Sequence, residues 1–186
     1  MTRNLSDLVG KTTVVDRHGL ADTQVTGLSF DAFTVKPGEL FFAVEGVNSD
    51  RRQYIAEVVG RGITAVVHSK PLSTYRDGVA YLQVADVQKS MSPMSSAYYG
   101  EPSKRLRVIG VTGTNGKSTT ASFIYQLINS LERRAAILSS VYYDLGAGLV
   151  RNPLHSSTTE APVVQECLYN AAENGLRYMV LEATSH

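Results

Sequence analysis

The alternation of apolar and polar positions divides the chain into two stretches of different character. Over residues 1–100 the apolar runs are short, rich in β-branched and aromatic side chains and closed by Gly, Pro or Asp. They predict strands over 24–29, 39–45, 63–68 and 79–84. Between the second and third of these, Ile55, Val58 and Val59 recur at helical spacing, and Gly60 closes that segment. A further helix is predicted from after Asp86 towards Tyr99. Pro93 is a candidate break in it, because proline removes an i→i−4 hydrogen bond. Residues 100–105 (Gly-Glu-Pro-Ser-Lys-Arg) are polar and turn-forming and end the stretch.

From Leu106 the pattern changes. A short apolar run over 107–111 leads into a glycine-rich turn and then a helix, in which Ala121, Ile124, Leu127, Ile128 and Leu131 are predicted to share the inward face. A second strand is predicted over 135–139. A helix starts after Thr159, with Pro162 tolerated in its first turn and Val164, Cys167, Leu168 and Ala171 inward. A third strand is predicted over 176–181. Strand–helix–strand–helix–strand alternation implies a parallel sheet with right-handed crossovers. The fold class is therefore α/β, with a small first domain over 1–103 and a second over 104–186. Three strands covered by two helices leave exposed edges, so the second domain is expected to be the truncated start of a larger one.

Composition narrows the classes of function. The chain is 43% hydrophobic with a net charge of +1, which supports a core but no field favouring nucleic acid. No apolar run is long enough to span a membrane, and the first residues lack the apolar core of a signal peptide. The single cysteine, Cys167, cannot form an internal disulfide and reads as a small core residue. A reducing, cytoplasmic setting is the expectation. His18, His68 and His155 stand in no ligand or triad pattern.

The chemistry is concentrated in residues 112–118, Thr-Gly-Thr-Asn-Gly-Lys-Ser, between an apolar strand and an amphipathic helix. Gly113 and Gly116 open backbone conformations that let N–H groups converge on an anion. The helix N-terminus adds partial positive charge and free donors. Lys117 can reach terminal phosphates, and the Ser118 hydroxyl can ligate magnesium held by them. The strict G-x-x-x-x-G-K-[ST] pattern asks for glycine where Val111 stands; the upstream glycine is Gly110. A bare G-K-S is more often a plain turn, but here strand, loop and helix are in register.

This loop resembles that of the Mur ligases and of folylpolyglutamate synthase. Three further segments carry the resemblance. Residues 35–43 (Val-Lys-Pro-Gly-Glu-Leu-Phe-Phe-Ala) resemble the V-x-P-G-D-L-F-x-A signature of the Mur N-terminal domain, which folylpolyglutamate synthase lacks. Ser157-Thr158-Thr159 resembles the T-T-P segment, and residues 181–186 (Leu-Glu-Ala-Thr-Ser-His) resemble the E-V-S-S-H strand end of the MurE type, the ligase that adds the third peptide residue. The resemblance implies a uridine-nucleotide-binding first domain and a P-loop parallel-sheet ATPase domain. It implies an enzyme of peptidoglycan synthesis in which ATP phosphorylates a carboxylate and an amine displaces the phosphate to give an amide.

ATP and Mg2+ are the implied cofactors, and UDP-N-acetylmuramoyl-dipeptide and a diamino acid the implied partners, for a monomeric protein. By the same resemblance Gly113, Thr114, Asn115, Gly116, Lys117, Ser118 and Thr119 bind nucleotide, with Lys117 catalytic. Asp31, Ser157, Thr158, Thr159 and Thr184 contact substrate; Ser118, Glu182 and His186 attend the metal. Thr158 and Thr159 also read as N-caps of the following helix. If Ser118 and Glu182 serve one cation, their side chains are expected roughly 4–6 Å apart, as two ligands of a single ion would be.

The family pattern is not complete. Asp31-Ala32-Phe33 stands where it has D-S-R, and Asp50-Arg51-Arg52 where it has D-G-H. Either Arg51 or Arg52 supplies charge to the uridine nucleotide, or those contacts are weaker. The family's later lysine and amino-acid-binding domain fall outside these residues, so the 186-residue chain alone is expected to be inactive. The alternatives are a P-loop regulator without ligase activity and a nucleotide-sugar-binding module.

Overall fold

The computed structural model describes residues 1–10, 12–20, 22–45, 51–131, 134–152 and 160–183. Backbone contacts divide it into two compact units, Met1–Tyr98 and Tyr99–His186.

The first unit runs β1 (Arg3–Asn4), α1 (Leu5–Val9), β2 (Val14–His18), β3 (Gln24–Val25), β4 (Gly27–Ser29), β5 (Glu39–Phe42), a 3-10 turn (Arg51–Tyr54), α2 (Ile55–Gly60), β6 (Ala65–His68), β7 (Ala80–Val84) and α3 (Val87–Tyr98). Its main sheet has the order β2-β7-β6-β5-β4, parallel from β4 to β7, with β2 antiparallel on the β7 edge. Phe41, Val66 and Tyr81 on one sheet face pack with Ile55, Val58 and Val59 of α2. The predicted strand over 24–29 is two short strands with different partners: β3 pairs with β1, and β4 with β5.

Helix α3 is continuous through Pro93. Asp86 caps its start, its Oδ1 accepting from the Lys89 amide at 3.0 Å. Met91 and Met94, on either side of Pro93, are fully buried, and Tyr98 donates to the Met1 carbonyl at 2.9 Å. That packing offsets the hydrogen bond which proline cannot make.

The second unit runs from a 3-10 turn (Pro102–Lys104) through β8 (Arg107–Val111), α4 (Lys117–Ser130), β9 (Ala135–Leu138), β10 (Tyr142–Asp144), β11 (Val150–Arg151), α5 (Ala161–Glu173) and β12 (Tyr178–Glu182). Here the three-strand expectation is corrected: the sheet has five strands in the order β11-β10-β9-β12-β8. Strands β8, β12 and β9 are parallel, and the β10–β11 hairpin adds antiparallel strands beyond β9. The pleat sends alternate side chains to opposite faces. Ala136, Leu138 and Met179 pack with Cys167, Leu168 and Ala171 of α5, while Ile137 and Val180 pack with Ala121 of α4.

The inward face of α4 also differs from expectation. Ala121, Ile124, Tyr125 and Ile128 face the sheet, whereas Leu127 and Leu131 are each 62% exposed. At 3.6 residues per turn, Leu127 lies about 110° round the helix from the contact stripe. Tyr125 takes the inward place because its hydroxyl has a partner below, Asp144, at 2.6 Å.

Candidate functional site at the carboxyl ends of β8, β9 and β12

Parallel pairing decides which residues meet. Glu182 lies in register with Val111, the last residue of β8, and the Ala183 amide donates to the Val111 carbonyl at 2.9 Å. Leu181 pairs with Leu138 on the other side. All three strands therefore end together, and the residues at and just past their ends share one edge of the sheet: the loop 112–118, Ser139-Ser140, and Glu182. Ligands of open α/β sheets bind beyond this edge.

The loop's shape rests on its glycines. Gly116 has φ +78° and forms the N-cap of α4, and Gly113 has φ +148°. Both lie where side chains with a Cβ are strained, by about 1–2 kcal/mol per residue. The turn delivers the first amides of α4, which lack intrahelical acceptors, to the strand ends. Thr114, Asn115, Gly116 and Thr119 are exposed along it. The Lys117 ammonium donates to the Gly113 carbonyl at 2.8 Å and more weakly to that of Thr114 at 3.4 Å, so it stays over the loop.

The half-buried Ser118 hydroxyl reaches across to β12 and donates to Glu182 Oε2 at 2.9 Å. That is shorter than the roughly 4–6 Å expected, because hydroxyl and carboxylate bond directly, and it is about the spacing of two adjacent oxygens on one octahedral magnesium with bonds of about 2.0–2.1 Å. Two more donors converge on the same oxygen, the Ser140 amide at 2.9 Å and the Ser140 hydroxyl at 3.1 Å. Ser140 was not among the residues singled out by sequence. The signal was there: a polar pair directly after an apolar strand, the reasoning that selected Glu182.

Behind Ser140 the turn is locked. Ser139 Oγ donates to the Tyr142 carbonyl at 3.1 Å and accepts the Tyr142 amide at 2.8 Å. The buried Asn152 side chain donates to the Ser139 carbonyl at 2.6 Å. Under α4, burial pushes Asp144 towards the neutral form. The Tyr125 hydroxyl and the amides of Gly146, Gly148 and Ala147 outweigh it and hold the carboxylate below its ordinary range. Burial and that carboxylate push the Tyr125 phenol up to about 12.

Among the described residues no three His, Cys, Asp or Glu side chains gather into a metal cage. One hydroxyl and one carboxylate fit the sparse protein share of a magnesium shell, which phosphate and water complete. They do not fit a structural zinc site, which closes with four protein ligands.

In the first unit Asp31 follows β4 and organises its own turn. Its Oδ1 accepts the Phe33 amide at 2.9 Å and its Oδ2 the Thr34 hydroxyl at 3.0 Å. Arg51 lies 5.5 Å from the Phe30 ring centre, and Arg52 Nε lies 3.4 Å from Glu45. A groove of about 460 Å³ is lined by Arg52, Leu72, Tyr75, Arg76 and Tyr81 among others, and Asp31 does not border it. Ser157, Thr158, Thr159, Thr184 and His186 lie outside the described residues. The cap of α5 falls at Glu160, in extended conformation. No described helix is long and apolar enough to cross a membrane.

Fold and loop together define the second unit as an α/β sheet whose parallel strands end at a glycine loop and helix. Residues 111–186 match the family described as the Mur ligase middle domain. The chain is 38% identical over 171 residues to the UDP-N-acetylmuramyl-tripeptide synthetase of Borreliella afzelii (strain PKo), which covers 90% of this chain and 34% of that protein. It superposes with a TM-score of 0.74 and 25% identity on a UDP-N-acetylmuramoyl-L-alanyl-D-glutamate–2,6-diaminopimelate ligase, over 100% of this chain and 37% of the other. A MurF ligase from Thermotoga maritima in complex with ADP shares the fold, with a TM-score of 0.54 and 21% identity over 86% of this chain and 32% of that one. The chain spans about a third of the length of the curated relatives it matches.

Proposed function

We propose that these residues form the substrate and nucleotide portions of a Mur ligase of the MurE type. Such an enzyme joins a diamino acid to UDP-N-acetylmuramoyl-L-alanyl-D-glutamate in peptidoglycan precursor synthesis. In this reading residues 1–103 take the uridine nucleotide and residues 104–186 begin the ATP-binding domain. The supporting observation is the convergence of the 112–118 loop, Ser118 and Glu182 at one end of adjacent parallel strands.

The chemistry divides into two transfers. The γ-phosphoryl group of ATP passes to the substrate carboxylate, releasing ADP, and the incoming amine then attacks the acyl phosphate and releases phosphate as the amide forms. Both steps move negative charge without a protein nucleophile, so positioning and electrostatics carry the rate. Residues 113–119 would hold the phosphates with backbone amides, and Lys117 would turn from its loop carbonyls to the transferred group. Ser118 and Glu182 would hold magnesium, which neutralises phosphate charge. Asp31, Ser157, Thr158, Thr159 and Thr184 are assigned to the muramoyl substrate, and His186 to the neighbourhood of the cation.

The test is Lys117→Ala in the ligase that carries these residues. Phosphate release dependent on UDP-muramoyl-dipeptide and a diamino acid is expected to fall about a hundredfold or more, the usual size of such a term. Retention of most of the activity would remove the loop from the ATP site and the reading with it.

A further inference from the structure

Three hydrogen bonds on one carboxylate oxygen are more than a strand end needs. Glu182 Oε2 accepts from Ser118 Oγ, Ser140 N and Ser140 Oγ at 2.9, 2.9 and 3.1 Å. Among the described residues, every hydrogen bond to this carboxylate falls on Oε2. The two hydroxyl oxygens also stand 3.1 Å apart. Three short contacts thus share two hydroxyl protons, and only the amide of Ser140 is a donor with one fixed direction.

From this geometry we infer that Ser140 is a positioning residue for the cation site, an inference that rests on the proposed nucleotide-binding function. The Ser140 amide and hydroxyl together pin Oε2 and so set the plane of the Glu182 carboxylate. With Oε2 saturated, Oε1 is the oxygen left to face a cation. The same pinning orients Ser118. Its single proton is committed to Oε2 (or to Ser140 Oγ), which leaves a lone pair of its oxygen for the cation. Ser140 itself needs no contact with metal or nucleotide.

The backbone supports this role independently. Ser140 follows β9, and its neighbour Ser139 is tied both to Tyr142 and to the buried Asn152. The amide that grips Glu182 is thus held by a closed turn on one side and by the parallel strand pair on the other. A carboxylate oriented in this way loses little freedom on binding an ion. Removal of such supporting hydrogen bonds typically weakens metal affinity 10–100-fold.

The experiment uses this chain with Mn2+ as the probe ion. Bound and free Mn2+ are counted by electron paramagnetic resonance at millimolar ADP, and ADP affinity without metal is measured by calorimetry. Ser140→Ala keeps the amide and loses the hydroxyl, so Mn2+ binding with ADP is expected to weaken about tenfold. Metal-free ADP affinity should stay unchanged, and Ser140→Thr should restore the metal affinity. Unchanged Mn2+ binding in Ser140→Ala, with Glu182→Gln strongly impaired, overturns the role of Ser140 and leaves the functional reading standing. A parallel loss of metal-free ADP affinity in Ser140→Ala shows a merely structural role and also overturns it. If the unmutated chain binds neither ADP nor Mn2+ with ADP, or Glu182→Gln binds them equally well, the reading of the site falls together with this inference.

Discussion

Replacing Tyr125 by phenylalanine deletes one hydroxyl, the donor to Asp144 Oδ2 at 2.6 Å. A hydrogen bond to an ionised carboxylate is of the stronger kind, about 1.5–3 kcal/mol net. Asp144 would keep the amides of Gly146 and Gly148, at 2.7 and 3.0 Å, on its other oxygen. The cost of Tyr125→Phe is therefore expected at the lower end of that range, about 1.5 kcal/mol. Asp144→Ala withdraws the acceptor from the Tyr125 hydroxyl and from the amides of Gly146, Gly148 and Ala147, at a site only 7% exposed. The expected cost is about 3 kcal/mol. Both substitutions remove the same Tyr–Asp bond, so the double variant should lose about 1.5 kcal/mol less than the sum.

Urea-dependent hydrogen exchange at the Ile137 and Val180 amides reads the second unit by itself. The sign with pH comes from the depressed Asp144 carboxylate. Its contribution is complete above the unfolded value of about 3.9 and is lost as pH falls through the lower folded value. The coupling between the two positions should shrink in that acid window. A coupling near zero at neutral pH, or one that grows on acidification, would refute the reasoning.

Two buried groups give further expected outcomes. Cys167 is buried and its thiol is pushed up to about 12, first by burial and then by Glu166, so Ellman's reagent should label the folded chain only at the rate of unfolding, and fast labelling would contradict the packing. His68 is fully buried, its Nδ1 bonded to the Lys70 carbonyl at 2.8 Å and its Nε2 without a partner among the described residues; burial lowers its pKa, outweighing the Lys70 carbonyl that raises it, while His18 lowers and Asp16 raises it by less. The unfolded chain then gains the proton first, so the first unit should lose stability as pH falls below about 6.5, and a His68→Phe variant with an equally steep acid slope would show that another group is responsible.

What could be read from sequence depended on whether one local signal matched one physical constraint. Residues 107–111 and 178–182 are apolar runs in a parallel sheet, and such runs announce strands of that kind. The glycine loop was legible because Gly113 and Gly116 mark backbone that other residues resist. Strand β2 was not legible: Val14–His18 is mixed in polarity and largely exposed, and only its pairing with β7 makes it a strand. The β10–β11 hairpin was missed for the same reason, since its residues gain their order from β9. On α4 the apolar period was real, but Leu127 fits two adjacent faces. The choice between them fell to the Tyr125 hydroxyl, whose partner lies nineteen positions away. Ser140 was legible only by its place just past an apolar strand; nothing in the sequence pattern names Glu182, 42 positions on, as its partner.

Strand β12 has neighbours on both edges and helices on both faces, with Met179 and Val180 fully enclosed. In the hierarchy of local openings, a strand so enclosed opens only when the whole unit does, while exposed loops open at almost no cost. Glu182 is therefore mounted at the end of an enclosed strand, facing an exposed loop. On the proposed function, such a mounting would hold the carboxylate in place while adjustment to a ligand falls to the loop side.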